Sequence, residues 1–484
     1  MKPVFLKPLF TSLPICLVCA CTAAEPTLIT STPITIPTSV TQPAATLNGT
    51  TPLRQIDSYF IDGETTAPVR RFALTDLLPV PSIAVNYGEL APAGQQPKLM
   101  AFGDGLAAGW RDGGLYREGQ LTAFPNLVAH QMRLAEFASP LFAEAQGNGT
   151  GYVVLSRQTP GPRWKTVMND RGIVKEGDLP EFMPYLGKTL HNWAVPKLTR
   201  AGMSAPYLFD PSSMNPETGK NYSYSSPYLL RMLPDIDRSN DTYFDLMLGR
   251  LNKNTCDIAL FTFEYDYWFY ELLKHASYQI GLRESHTSSA PLATLMANKA
   301  TNAGVKSVVY TIPHFKDLAF FTIYKASAIE KSLPYISYSY GNGNKTASTE
   351  AIFLPNKTTA KLFDDARTGN IVSARLSELD VIDGIVLEMS SPAMYNSRIR
   401  KDAEFTKAVV VDLEMLYARI AAGTYITDDG LKIDGSITGN FFSSDGIYPS
   451  LIGHSVIANE TIKAINKAYK SEIPLIKVSL LTGK

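Results

Sequence analysis

The residues of this sequence best suited to chemistry are four acidic side chains that follow short apolar runs or turns. We expect Asp104, Glu264, Asp266 and Asp445 near the carboxyl ends of strands. In a parallel sheet those ends meet at one edge, where α/β proteins bind their ligands. Two carboxylates there can catalyse glycoside hydrolysis or hold a metal ion. The alternative is that short acidic side chains are kept for turn and cap hydrogen bonds.

The sequence lacks two common catalytic motifs. It contains neither a G-x-S-x-G nucleophile elbow nor an H-E-x-x-H metal motif. His454, shortly after Tyr448, is placed to reach the same edge of the sheet, although its position equally suits packing or capping of the last helix. We predict no metal site and no cofactor. The remaining histidines are scattered and are predicted to be packed or solvated: His130, His191, His275, His286 and His314.

Apolar runs alternate with helical patterns along the body of the chain, which is typical of a parallel sheet flanked by helices. The first run, Leu99–Phe102, ends in the turn Gly103-Asp-Gly105, where glycines let backbone amides approach a ligand. A helix pattern follows at Phe124–Met132. Further strands are predicted at 257–263, 305–312 and 408–412, helices at 413–422, 455–469 and 358–367, and otherwise irregular structure at 160–250 and 325–400.

The turn Gly103-Asp-Gly-Leu106 resembles the Gly-Asp-Ser-Leu block of the SGNH (GDSL) hydrolases, with glycine in place of the serine. The similarity spans roughly residues 95–478 and implies a three-layer α/β/α fold with a parallel sheet and large loop insertions. It also implies hydrolysis of acyl or acetyl esters. Further stretches resemble, in order, blocks of the Bacteroidetes-type lipoprotein branch of that family: residues 113–126, 192–196, 310–315, 441–459 and 473–476.

The resemblance assigns a role to each signature position. In the family a serine attacks the ester, a histidine oriented by an aspartate takes the proton, and a glycine amide and an asparagine help to hold the oxyanion. Asp104 and Asp445 are retained here. The four other positions have changed: Gly105 replaces the serine, Tyr448 the histidine, Lys197 the glycine and Tyr265 the asparagine.

These replacements predict a domain that no longer hydrolyses esters. Losing the nucleophile or the base alone reduces turnover in a serine hydrolase by about a millionfold. A phenol with a pKa of about 10 is protonated at neutral pH and cannot replace imidazole as the base. We therefore expect a non-catalytic domain that binds a glycan or serves as a subunit of an envelope complex. The alternative is an active ester hydrolase that uses His454.

Aromatic residues stand in or beside the altered positions. Aromatic faces with polar tips suit stacking on sugars or gripping a peptide. The alternative is that these rings fill the former pocket and stabilise it. The predicted binding residues are Trp110, Trp193, Tyr265, Trp268 and Tyr448.

The N-terminal residues predict a membrane anchor. Lys2 and Lys7 flank the start of an apolar region that ends in Leu17-Val-Cys-Ala-Cys21, which resembles a bacterial lipobox. We expect residues 1–21 to be a lipoprotein signal peptide and Cys21 to carry the lipid that binds the membrane. An ordinary signal peptide is the alternative.

The rest of the chain divides into a tether and a domain. Residues 22–53 are rich in Thr, Pro, Ala and Ser with almost no charge, which indicates a flexible tether. Residues 54–484 are predicted to form a single domain with an insertion at about 160–250. The predicted location is the bacterial outer membrane, with a glycan or an outer-membrane protein as partner.

Composition limits the remaining possibilities. The 484 residues carry 45 basic and 45 acidic side chains, so no general attraction to nucleic acid is expected. Because three of the four cysteines belong to the signal region, Cys256 alone remains in the body and no internal disulfide is possible there. Cys256 is predicted to be a buried apolar residue.

Overall fold

Four parallel strands form the central sheet of the computed structural model. The described residues are 59–82, 84–157, 161–176, 180–198, 203, 226–233, 242–274, 290–340, 343–377 and 379–483. They belong to one compact unit, Thr50–Lys484. Outside the described residues lie the predicted signal peptide with Cys21, the predicted tether at 22–53, His275, His286 and part of the predicted insertion.

The secondary structure comprises short strands and helices of 4 to 19 residues. The strands are β1 (Ile61–Thr65), β2 (Leu99–Gly103), β3 (Tyr152–Arg157), β4 (Arg163–Val167), β5 (Ile173–Lys175), β6 (Glu181–Phe182), β7 (Ile258–Thr262), β8 (Lys306–Tyr310), β9 (Tyr324–Lys325), β10 (Ile336–Tyr340), β11 (Gly343–Thr346), β12 (Ile352–Phe353), β13 (Ala374–Leu376), β14 (Val381–Ile382) and β15 (Val409–Val411). The helices are α1 (Leu74–Leu77), α2 (Gly105–Ala108), α3 (Arg117–Leu121), α4 (Phe124–Gln131), α5 (Pro227–Leu230), α6 (Tyr243–Arg250), α7 (Tyr265–Lys274), α8 (Leu292–Asn302), α9 (Lys357–Arg367), α10 (Gly384–Met389), α11 (Ala393–Thr406), α12 (Leu413–Ala421) and α13 (Leu451–Tyr469).

The central sheet has the order β15-β8-β7-β2, and each neighbouring pair is parallel. Strands β2 and β7 run in register from Leu99 opposite Ile258 to Gly103 opposite Thr262. Every residue of these two strands is buried, as expected for strands covered on both faces. The four apolar runs therefore form the parallel sheet that the sequence predicts.

Helices pack against this sheet in two groups. Helix α13 contacts α4 and β15, while α8 contacts β7, β8 and α11. The hydroxyl of Ser450 caps α13 by accepting from the amide of Gly453, which starts the helix slightly earlier than predicted. Cys256 is buried and free, as predicted. Among the described residues, no helix is both long and apolar enough to cross a membrane.

A second, smaller core spans residues 324–381, most of which the sequence predicts to be irregular. Strands β9, β10, β12, β13 and β14 and helix α9 contribute to it, and Tyr324, Ile336, Phe353 and Phe363 belong to it. Strand β10 pairs antiparallel with β11 and parallel with β13. The prediction of irregular structure is wrong here, because strands of two to five residues have too few apolar positions to show a period.

The first described residue is bound to a loop near the end of the chain. The hydroxyl of Tyr59 donates to the carbonyl of Asp445 (2.6 Å), and its ring packs on Trp164, 4.9 Å away between centroids. The indole of Trp164 in turn donates to the carbonyl of Ser444 (2.8 Å). This loop, residues 443–448, also carries Tyr448.

Candidate functional site

The candidate site lies at the carboxyl ends of β2 and β7. Gly103 ends β2 with a φ of 153°, and a Cβ atom there would lie 2.2 Å from the hydroxyl of Thr262, so glycine is required. The amide of Asp104 donates to the carbonyl of Thr262 (3.0 Å). Gly105 then opens α2. The predicted strand-turn-helix is present: α4 begins at Phe124 as predicted, and an additional short helix, α2, begins directly at the turn.

A segment beside β2 brings Lys197 to this edge. The amides of Trp193 and Val195 donate to the carbonyls of Ala101 and Gly103, at 2.7 and 2.9 Å. The segment therefore extends the sheet in parallel beyond β2. At its end Lys197 adopts a φ of 60°, a conformation that glycine reaches more easily. The backbone amide of Lys197 points to α7, where it donates to the carboxylate of Asp266.

The carboxylate of Asp266, in the first turn of α7, occupies the centre of the site. One oxygen accepts from two backbone amides, those of Gly105 (3.0 Å) and Lys197 (2.6 Å). The other oxygen accepts from the hydroxyl of Tyr448 (2.5 Å). The amide of Asp266 itself donates to Asp104 (3.0 Å). Backbone amides that converge on one point form an anion site, and here an internal carboxylate fills it.

The close packing at Gly105 leaves no space for a side chain. A Cβ atom on this glycine would lie 2.9 Å from both carboxylate oxygens of Asp266 and 3.0 Å from the hydroxyl of Tyr448. These distances are shorter than non-bonded contacts of carbon. A serine would therefore displace Asp266 or Tyr448.

Asp445 holds the loop that presents Tyr448. One oxygen of its buried carboxylate accepts from the amides of Ile447 and Tyr448, both at 2.8 Å. The other accepts from the amide of Gly113 (3.0 Å). These bonds fix the turn that carries the phenol to Asp266. They match the alternative in which the acidic residue serves turn hydrogen bonds.

The pKa values of the acidic residues reflect their different surroundings. Burial, together with the charge of Asp266, raises the pKa of Asp104 well above its usual range. Burial also raises the pKa of Asp266, although Tyr448 and the two backbone amides oppose the shift. Burial raises the pKa of Asp445 to about 7. Glu264 lies apart from the pair and accepts from the amide of Leu292 (3.2 Å).

Lys197 is the cation of the site. Its ammonium lies 4.6 Å from the centroid of the Trp110 ring, a cation–π distance. Burial lowers the pKa of Lys197 to about 7, and the charge of Asp266 partly opposes this shift. The ammonium therefore titrates near neutral pH.

His454 contacts a different part of the core. Its Nδ1 accepts from the amide of Phe124 (3.3 Å), and its ring stacks on the Phe124 ring. Within the described part of the chain, Nε2 has no hydrogen-bond partner, so no hydroxyl lies within its reach. Burial and the charge of Arg111 lower the pKa of His454 to about 3. It is therefore neutral and buried, without a nucleophile to activate.

Three of the predicted binding aromatics meet at the site. The rings of Trp110 and Tyr265 lie 6.5 and 5.4 Å from that of Tyr448, and the hydroxyl of Tyr265 donates to the carbonyl of Ile447 (2.6 Å). They are almost wholly enclosed: Tyr448 is 0 % exposed, Trp110 3 % and Tyr265 5 %.

The other two predicted aromatics lie elsewhere. Trp268 is 7 % exposed and packs edge-on against Tyr395. Trp193 is also buried, under the guanidinium of Arg250 at 3.9 Å from its ring centroid. Neither ring has a contact with Asp266 or Tyr448 among those observed.

The sequence does not identify the roles of two residues at the site, Asp266 and Tyr228. Asp266 is foreseen only as one of four carboxylates, not as the acceptor that joins Gly105 and Lys197. Tyr228, from the predicted insertion, stacks edge-on against Trp110 with centroids 5.7 Å apart. Burial, together with the nearby charge of Asp266, raises the pKa of Tyr228. No local pattern in the sequence marks it.

The described residues contain no group of three or more His, Cys, Asp or Glu side chains arranged to bind a metal ion. No protein-family model, curated protein or solved structure matches this chain at a significant level.

Proposed function

We propose that this chain is a membrane-anchored lipoprotein whose SGNH-hydrolase-like domain, of the three-layer α/β/α type, serves as a non-catalytic subunit of an envelope complex. In this proposal Cys21 carries the lipid in the bacterial outer membrane. The enclosed rings at the site favour assembly over glycan binding, because a ring that is 0 to 5 % exposed offers no face to a sugar.

The observation that carries the proposal is the occupation of the amides of Gly105 and Lys197 by Asp266. A hydrolase needs such donors free for the charge that develops on the substrate oxygen. Here a carboxylate already satisfies them. Gly105 has no side-chain oxygen at the nucleophile position, and the Tyr448 hydroxyl is bound to the same carboxylate.

The first experiment measures hydrolysis of p-nitrophenyl acetate and butyrate by the full chain carrying Cys21→Ser, which prevents lipidation. We expect no turnover above a heat-inactivated control. Turnover that Tyr448→Phe or His454→Ala abolishes would establish the active-hydrolase alternative instead.

The second experiment rebuilds the family's catalytic groups. Gly105→Ser with Tyr448→His restores the nucleophile and base, and adding Asp266→Ala releases the amides and the space at residue 105. We expect the triple variant to hydrolyse the acetate ester while the double variant stays inactive. Equal activity of both variants would contradict the role assigned to Asp266.

The third experiment tests assembly. The lipidated chain is purified from its native envelope under mild detergent, beside the Cys21→Ser chain. We expect a defined membrane-protein partner with the lipidated form. Retention on envelope glycan without a protein partner would instead support the glycan-binding role.

A further inference from the structure

A groove of about 880 Å³ lies beside α4, and its described lining residues include none of those at the candidate site. Helices α1 and α3 contribute Leu74 and Leu121 to its wall, and Phe137 and Leu141 lie on the segment after α4. The volume falls within the range of ligand pockets in proteins, about 300 to 1,000 Å³. The groove is therefore large enough for a long alkyl chain.

The rim of the groove presents apolar side chains to solvent. Leu186 is 84 % exposed, Val80 47 % and Met183 36 %. Single exposed apolar residues are ordinary, but several around one apolar groove mark a binding surface. An apolar ligand would cover them.

The charged side chains among the described lining residues of the groove have one sign, although the carboxylate of Glu144 lies beside one of them. Among its described lining residues Arg117 and Arg133 are cationic, and none is acidic. Arg117 is already engaged, because it donates to the carbonyl of Phe142 (2.7 Å) and lies 3.8 Å from the carboxylate of Glu144. His130, which also lines the groove, has a pKa lowered by burial and is neutral at pH 7.

Arg133 is the cation that remains for a ligand. It is exposed, and its guanidinium makes no ion pair or hydrogen bond among the contacts of the described chain. A guanidinium presents paired N–H donors that match a carboxylate. An apolar groove with such a group at its rim complements an amphiphile with a negative head.

We propose that this groove binds a long-chain carboxylate, with the alkyl chain among the leucine, phenylalanine and methionine side chains and the head group at Arg133. The site is separate from Asp266 and does not depend on the proposed loss of hydrolysis. The groove's apolar lining supplies most of the affinity, and Arg133 selects the sign of the head group.

The test is calorimetric titration of the full chain carrying Cys21→Ser with dodecanoate, below its micelle concentration. We expect saturable binding of one dodecanoate per chain. Decanoate should bind more weakly, by up to about fourfold for each methylene lost. Dodecyltrimethylammonium, with the same chain and a positive head, should bind at least fivefold more weakly than dodecanoate.

Three variants separate the groove from general surface effects. Arg133→Gln should weaken dodecanoate binding about fivefold, as for a partly exposed ion pair, and should not weaken the ammonium probe. Arg375→Gln, an exposed arginine on β13 outside the groove, is the matched control and should change neither. Ala135→Trp, at an exposed lining position, should abolish binding while circular dichroism shows an unchanged fold.

Other outcomes overturn the proposal. Equal binding of the anionic and cationic probes, or equal effects of Arg133→Gln and Arg375→Gln, would show that Arg133 does not select the ligand. Non-saturable uptake of dodecanoate, or adsorption only to phosphatidylglycerol vesicles, would show a membrane-binding surface rather than a carboxylate site.

Discussion

Replacing Gly105 by serine tests the packing at the centre of the site most directly. The new Cβ would stand 2.9 Å from both oxygens of Asp266 and 3.0 Å from the hydroxyl of Tyr448. The carboxylate cannot retreat freely, because the amides of Gly105 and Lys197 hold one oxygen and Tyr448 holds the other. A serine at position 105 therefore forces the three buried hydrogen bonds to the Asp266 carboxylate to rearrange.

The expected loss of unfolding free energy follows from these contacts. Overpacking a well-packed core costs about 1 to 3 kcal/mol, and a disrupted hydrogen bond to a charged group costs about 1.5 to 3 kcal/mol. Serine has a higher helix propensity than glycine, which offsets this loss of stability by about 0.5 kcal/mol. We expect Gly105→Ser to be less stable by about 2 to 5 kcal/mol.

The assay is urea unfolding of the full chain carrying Cys21→Ser at pH 7, followed by circular dichroism. Gly249→Ser is the matched control, since Gly249 lies in α6 with open space around its Cβ and without a positive φ. It should change the free energy of unfolding by no more than about 0.5 kcal/mol.

A double-mutant cycle locates the clash. Combining Gly105→Ser with Asp266→Ala removes the obstructing carboxylate, so the pair should be less destabilised than the two single effects together by at least about 1 kcal/mol. If Gly105→Ser unfolds like Gly249→Ser, or if the two site substitutions are additive, the described packing around residue 105 is incorrect.

Three further predictions concern neighbouring groups. Asp445→Ala leaves three buried amides without an acceptor and should lower the free energy of unfolding by about 2 to 4 kcal/mol, measured in urea. His454 has a folded-state pKa of about 3 against an ordinary 6.5, so its stabilising contribution is present above pH 6.5 and is lost as the pH falls towards 3. The stability difference between the wild type and His454→Asn should therefore shrink by about 2 to 3 kcal/mol between about pH 6.5 and 4.5. The fluorescence of Trp110 should change with a midpoint near pH 7 as Lys197 titrates, and Lys197→Met should abolish the change.

A specific result would contradict each of these three predictions. An Asp445→Ala protein as stable as the wild type would mean that other groups hold the loop. A pH-independent difference for His454→Asn would mean that the pKa of His454 is not lowered by folding. A transition near pH 7 that survives Lys197→Met would belong to another group, with Asp445 as the first to test because its pKa is also about 7.

The sheet could be predicted from the sequence because its strands are buried on both faces. Leu99–Phe102 and Ile258–Thr262 read as continuous apolar runs, and glycines or acidic residues mark where they end. The small strands around Phe353 carry no such pattern. Their position depends on contacts between distant segments, which local sequence does not record.

The sequence predicts which positions form the site but not the hydrogen bonds between them. It places Gly105, Lys197 and Tyr448 near the edge of the sheet, yet nothing in it shows that one carboxylate joins them. The donors to Asp266 include two backbone amides, and every residue except proline has one. The fold decides which amides reach that carboxylate, and it also sets the φ of 60° at Lys197.

The attachment of Tyr59 to the loop at 443–448 has a mechanical consequence. Tension applied at Tyr59 would act on its hydroxyl bond to Asp445, on its ring contact with Trp164 and, along the backbone, on β1, which pairs with β4. Asp445 is three residues from Tyr448, the phenol that touches Asp266. A pull at Tyr59 would therefore act on the loop that carries Tyr448 and on the β1-β4-β3 sheet, which is separate from the central sheet.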